Sequence, residues 1–258
     1  MKHMRLTELL AAIRATFVSF FSIVMFVALG AAVFLGLQWG RRALSTTIDT
    51  TLAQTSFHDI ELQYPYGITD ESIEQICDIE GVELVEPGYA AFIEGEVGKV
   101  GASFKVQSIT DALDQPEVIK GKLPTKANEI ALLDHWAESR GVEVGDTFYM
   151  TTDNDSALEY LKDDQLTVTA LVNAPGYLAT DSKTYGVSTS GSGTIDCVAF
   201  VDEKAFSMVP FLDAHPVVYI RCASTQGLST FEQPYRDSVN PVRNRIAELG
   251  AIDAPQRF

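Results

Sequence analysis

The chain has 258 residues, 46% of them hydrophobic and 21% charged, and 19 Lys+Arg against 35 Asp+Glu give a formal net charge of −16. That apolar share excludes a wholly disordered chain. After Arg42 only 14 basic residues stand against 34 acidic ones, a net of −20. A phosphate backbone repels such a region, which argues against nucleic acid as a partner.

The apolar residues concentrate at the N-terminus. No charged residue lies between Arg14 and Arg41. Residues 17–39 would make a helix of about 35 Å, enough for a hydrocarbon layer of about 30 Å. The run shows no polar face, and Trp39 stands at one end, where interfacial aromatics belong. A cleaved signal peptide is the alternative, with the Ala-Leu-Gly-Ala-Ala stretch at 28–32 as its processing site. Its apolar region would be about 7 to 15 residues, shorter than this one. Residues 17–40 are therefore read as a transmembrane helix. Ahead of it, Leu6, Leu9, Leu10, Ile13 and Phe17 recur at helical spacing. Residues 1–16 read as a cytoplasmic amphipathic segment lying at the membrane surface before the chain turns in, with Arg5, Arg14 and Trp39 as surface anchors. Lys2, Arg5 and Arg14 favour an N-terminus inside and Arg41 and Arg42 oppose it; a long following domain translocates largely regardless of charge. Residues 43–258 are placed outside. Ala28, Ala32, Gly36 and Gly40 recur every fourth residue, a small-residue stripe that would let a partner helix approach closely.

Beyond the span, residues 43–55 read as a polar continuation of the helix. Residues 58–64 alternate as a strand, which Pro65-Tyr66-Gly67 should break. Thr69 opens a helix with Asp70, Glu71 and Glu74 near its start and Ile73, Ile76 and Ile79 on its buried face; Gly81 ends it. Residues 82–92 and 97–109 read as strands, the first interrupted at Pro87-Gly88. This β-α-β-β order suits half of a ferredoxin-like unit. Residues 120–124 read as a turn, 129–133 as a strand, 135–140 as a helix closed by Gly141, and 147–151 and 166–172 as strands. Residues 188–194 read as a flexible loop. Strands at 195–201 and 217–222 and a helix at 203–208 follow. The last helix, 227–249, should kink or break at Pro234 and Pro241. The fold class is α+β in two intermingled subdomains: 57–110 with 215–250, and a strand-rich insertion at 118–210.

Little in the chain suggests catalysis. Gly95, Gly98 and Gly101 surround Lys99, but their spacing is wrong for a phosphate loop. Gly191-Ser192-Gly193 lacks the nucleophile-elbow pattern. His3, His58, His135 and His215 are isolated from one another and from Cys77, Cys197 and Cys222, so no metal set is expected. His135 beside Asp134 reads as structural, and the cysteines as buried thiols rather than one disulfide and an odd thiol. Asp153-Asn154-Asp155 begins like a calcium loop, but Leu158 occupies its glycine position. Asn154-Asp155-Ser156 is a glycosylation sequon by pattern. No catalytic, cofactor or metal residue is assigned, and no cofactor is expected in this chain.

Ile13-Arg14-Ala15-Thr16-Phe17 and the span after it resemble the first membrane helix of FtsX/MacB-type permeases of ABC transporters. Asp59-Ile60, then Ile76, Ile79-Glu80-Gly81-Val82 and Val85, resemble that family's first outer strand, helix and following strand. Lys120-Gly121-Lys122-Leu123-Pro124 with Asn128-Glu129-Ile130 resembles its G-x-x-P and N-E-I stretch, and Val144-Gly145-Asp146-Thr147 its G-D turn. The resemblance implies a MacB-periplasmic-core-like outer domain and a mechanical coupler in the cell membrane rather than an enzyme. Its implied partners are a cytoplasmic ATPase subunit and a second permease copy or paralogue. Such permeases have four membrane helices. This sequence carries one, so it is expected to be a piece of a longer permease or to have its remaining spans on another chain. The competing readings are a single-pass sensor with an acidic ligand-binding domain, and, ranked below it, an anchored hydrolase.

Overall fold

The computed structural model describes residues 2–151, 160–177, 185–186, 193–207, 211 and 214–253. In chain order these form α1 (Lys2–Gln54), β1 (Ile60–Ile68), α2 (Asp70–Cys77), β2 (Val82–Gly88), β3 (Ala90–Val97), β4 (Val100–Ser108), β5 (Glu117–Gly121) and β6 (Glu129–Leu133). Then come α3 (Asp134–Arg140), β7 (Thr147–Met150), β8 (Gln165–Asn173), β9 (Cys197–Val201), β10 (His215–Cys222) and α4 (Gln233–Asp253). Two compact units divide the chain, residues 1–49 and 50–258.

α1, which makes up the first unit and the first five residues of the second, is unbroken. Its 53 residues extend for about 80 Å at 1.5 Å per residue. The turn expected between an amphipathic segment and the span is absent. No Pro or Gly occurs from Lys2 to Leu29, so nothing removes a backbone donor or loosens the helix there. From Ser19 onward α1 is long and apolar enough to cross a membrane, and none of its most apolar stretch is buried in the protein.

The second unit begins with a three-stranded sheet in the order β1-β10-β2, with β10 antiparallel to both neighbours. β1 and β2 are thus parallel, joined through α2, with β10 inserted between them. This is a split βαβ unit. The sequence assigns the third strand to residues 97–109; the structure supplies it from β10, far along the chain. One sheet face carries Ile60, Val218, Ile220 and Cys222, packed with Ile76 of α2 and Val239, Val242 and Ile246 of α4. Period-2 alternation sends Val217 and Tyr219 to the other face, against Leu113. Thr69 caps α2, its hydroxyl oxygen accepting from the Ser72 amide.

Pro65-Tyr66-Gly67 does not end β1. The strand resumes at Ile68, opposite His215, after a register shift. Gly67 sits at φ 74°, and a Cβ there would lie 2.5 Å from the Ala214 Cβ, so the bulge requires glycine. Nor is α4 broken. Pro234 occupies its first turn, where no backbone donor is needed, and Pro241 is carried inside the helix. The expected helix at 203–208 reduces, in its described part, to a 3₁₀ turn, Glu203–Ala205.

The other seven strands follow the order β5-β8-β6-β9-β4-β3-β7, and β7 also pairs with β8. The ladder therefore closes into a six-stranded barrel, with β5 as a short flap on the far half of β8. Closure removes the exposed edges of an open sheet. β3 and β4, grouped by sequence with the first subdomain, are barrel strands. β5 includes Lys120 and Gly121, which the sequence reads as a turn. Phe104 packs edge-on against Phe148 at 5.0 Å and against Trp136 at 5.3 Å. Gly95 makes room for this: a Cβ on it would lie 2.4 Å from the Phe148 ring. Cys197 and Cys222 are buried, Cys77 is exposed, and all three are free.

Candidate functional site

Two features of the second unit converge on one place. The first is the segment that follows α1. Ser56 takes a left-handed conformation at φ 54°. The Phe57 amide donates to the Leu52 carbonyl at 2.9 Å and the Ser56 amide to that of Ala53 at 3.4 Å, the two bonds of a Schellman cap. The loop before β5 then holds the segment. Asp114 and Gln115 donate their amides to the Ser56 and Thr55 carbonyls at 3.2 and 3.1 Å. The Asp114 carboxylate accepts the His58 amide at 3.0 Å and meets His58 Nδ1 at 2.6 Å. One residue on, Asp59 accepts from the Cys222 amide at 2.7 Å, the Thr225 hydroxyl at 2.9 Å and the Tyr235 phenol at 2.7 Å. Two carboxylates thus fasten residues 55–59 to the barrel approach, to β10 and to α4.

The second feature is a cavity of about 290 Å³ beside that segment. Phe57, His58, Glu61, Asp114 and Tyr219 line one part; Lys105, Gln107, Phe200, Tyr177 and Tyr185 line the rest. Strand β4 explains the polar residues. Phe104 and Val106 belong to the barrel core. Ser103, Lys105 and Gln107 alternate with them, so they lie on the opposite face. These polar side chains are nonetheless buried: Lys105 is 8% exposed and Gln107 7%. The 3₁₀ turn Pro175–Tyr177 helps cover them.

Lys105 Nζ donates to the Tyr177 hydroxyl at 2.9 Å, and that hydroxyl donates to Gln107 Oε1 at 3.0 Å. The ammonium also lies 5.6 Å from the Tyr177 ring centre. Among the described residues no carboxylate oxygen comes within 4.0 Å of it. Burial pushes the Lys105 pKa down, but Tyr177 and then Glu61 outweigh it and leave the ammonium above its usual range. Burial raises the Tyr177 phenol, so Tyr177 acts at neutral pH through its hydrogen bonds rather than through a charge.

Among the described residues there is no group of three His, Cys, Asp or Glu placed to hold a metal. His135 Nε2 meets the Tyr185 hydroxyl at 2.6 Å. The acidic stretch 153–155 with the sequon, Leu158, and the loop at 188–192 lie outside the described residues, as does the side chain of Arg5. Ala28, Ala32, Gly36 and Gly40 are exposed on α1, and nothing lies within 4 Å of a Cβ built on Gly36 or Gly40. Arg14 is exposed, and so is Trp39, at 76%. Sequence reasoning missed Lys105, Gln107 and Tyr177. Their signal is the alternation Ser103-Phe104-Lys105-Val106-Gln107, which by itself reads as an ordinary strand with a wet face.

No family model matches the chain, and no curated relative does. Among solved structures it is similar to the extracellular domain of the noncanonical ABC-type transporter YknZ from Gram-positive bacteria, at 12% identity and a TM-score of 0.39, over 69% of this chain and 86% of that one. A permease-protein domain from Porphyromonas gingivalis follows at 14% identity and TM-score 0.38, over 65% and 71% of the two chains. The periplasmic region of MacB from Actinobacillus actinomycetemcomitans is similar at 8% identity and TM-score 0.38, over 73% and 75%.

Proposed function

We propose that the chain is a membrane permease component of an ABC transporter of the FtsX/MacB type, which couples a partner ATPase to an extracytoplasmic domain. The carrying observation is the capped and fastened segment 55–59. A span that only anchored a domain would need no more than a flexible linker. Here a Schellman cap and two multiply bonded carboxylates stiffen the chain where it leaves α1. Such a connection passes on displacement, which is what a mechanical coupler requires. The motif order from Ile13 to Thr147 supports the same reading.

In this reading the N-terminus is cytoplasmic and residues 43–258 lie outside the cell membrane. Ala28, Ala32, Gly36 and Gly40 pack against another membrane helix, and Arg5, Arg14 and Trp39 hold the span at its two surfaces. ATP hydrolysis belongs to the partner, since the sequence carries no phosphate-loop motif. The test is a pull-down from detergent-solubilised native membranes through an N-terminal tag. A co-purifying cytoplasmic ATPase is expected, and Gly36→Ile should reduce recovery of any partner permease. Recovery of this chain alone overturns the proposal and leaves a single-pass sensor.

A further inference from the structure

The cavity beside residues 57–58 contains an unusual set of charges. Among the described residues, buried Lys105 meets Tyr177 alone at hydrogen-bond distance, through its hydroxyl, which is itself bonded to Gln107, and lies near the face of the same ring. An ammonium has three donor hydrogens, and burying one without an anion is costly. Tyr177 takes one hydrogen. The same cavity holds two carboxylates, Glu61 and Asp114. Asp114 is committed to the His58 amide and imidazole. Glu61 has Oε1 bonded to Gln63 Nε2 at 2.6 Å and Oε2 3.9 Å from His58 Nε2, leaving acceptor capacity on an exposed strand residue.

These charges select among ligands. A phosphate or other multiply charged anion would meet Lys105 but be repelled by Glu61 and Asp114. A plain cation would meet Glu61 but be repelled by Lys105. A zwitterion satisfies both and carries no net charge into the site. Five aromatic residues, Phe57, Tyr177, Tyr185, Phe200 and Tyr219, share the remaining walls with Gln63, Gln107 and the backbone of the 174–176 turn. Apolar walls with a few placed polar groups mark a small-molecule site, and about 290 Å³ is close to the low end of such pockets.

We propose that this cavity binds a free α-amino acid, with its carboxylate on the Lys105 ammonium, its ammonium toward Glu61 and its side chain among the aromatic walls. The site lies against Phe57 and His58, the residues that follow the α1 cap, so an occupant touches the segment the coupling reading depends on. The binding itself stands apart from that reading and is measured without an ATPase.

The experiment is calorimetric titration of the full chain in detergent with each of the twenty free L-amino acids, and then with the N-acetylated and the amidated forms of the tightest binder. Saturable binding of at least one free amino acid is expected, weakened about tenfold or more by either modification, as loss of a charge-assisted hydrogen bond requires. Lys105→Met should abolish binding. Glu61→Gln, an isosteric change at an exposed position, should weaken it about tenfold. The proposal is overturned if no free amino acid binds, or if binding survives both substitutions unchanged. Equal binding of the N-acetylated form also overturns it, since a simple carboxylate site would then suffice.

Discussion

His58 and Asp114, 56 residues apart, are joined twice: one carboxylate oxygen accepts the His58 amide at 3.0 Å, and the other meets Nδ1 of the same residue at 2.6 Å. The Asp114 side chain is only 14% exposed. Both oxygens of one carboxylate are thus spent on a single residue just past α1, and the Asp114 amide holds Ser56 as well. Asp114→Ala removes the acceptors and leaves the His58 amide half-buried and unpaired. A loss of about 2–3 kcal/mol is expected, read as a lowered thermal midpoint of the full chain in detergent. A change below about 0.5 kcal/mol would mean that the clamp does not hold the segment.

The αL residue of the Schellman cap is a serine, where glycine is usual. For an L-residue that conformation costs about 1–2 kcal/mol, partly offset by the greater chain entropy that glycine loses on folding. Ser56→Gly should therefore stabilise by up to about 1 kcal/mol. Ser56→Val, with a branched Cβ, should destabilise. Thermal unfolding of the two variants in parallel checks the order.

Barrel packing gives a sharper loss. The ring of Phe148 occupies the space over Gly95, and Phe148 itself is fully buried. In Gly95→Ala a methyl group meets a ring with nowhere to go, an overpacking cost of about 1–3 kcal/mol or more. Gly98→Ala serves as the contrast for space: nothing lies within 4 Å of its Cβ, although its φ of 64° adds backbone strain. Urea unfolding should show unchanged m and a lower midpoint for Gly95→Ala, as expected of a packing effect.

One histidine contributes a share of the acid response. Burial lowers the His135 pKa, Asp134 opposes this and Arg140 adds to it. The unfolded chain then takes up its proton at the ordinary histidine pKa, and the folded chain only below it. Stability from this residue is present above the unfolded value and is lost as pH falls through the folded one. His135→Gln should flatten the fall in unfolding midpoint between neutral and mildly acid pH, leaving other titrating groups as the remainder. An unchanged slope would remove His135 from the account.

Local rules made part of this legible. Thr69 with its acidic first turn fixed the start of α2, and Gly141 the end of α3, because caps act within one helical turn. Pro65 misled because a proline ends a strand only if its missing donor was needed. Gly67 at φ 74° absorbs the shift and lets Ile68 rejoin β10. Two larger features lay beyond local pattern. Barrel closure depends on β7 finding β8 across the 14 residues between Met150 and Gln165, and alternation within either strand is blind to it. The burial of Lys105 depends on Tyr177, 72 residues away, so a polar strand face that looked exposed is covered.

The barrel leaves the small sheet at Gly88 and the chain returns at His215, and Gly88 lies directly opposite Val217 in the β2–β10 ladder. Its exit and entry points are next-door neighbours. Whatever is strung between them adds no span to the route from α1 through β1 and β10 to α4. The detour could therefore be lengthened on its far side without altering that frame, provided the loop that carries Asp114 and Gln115 keeps its hold on residues 55–58.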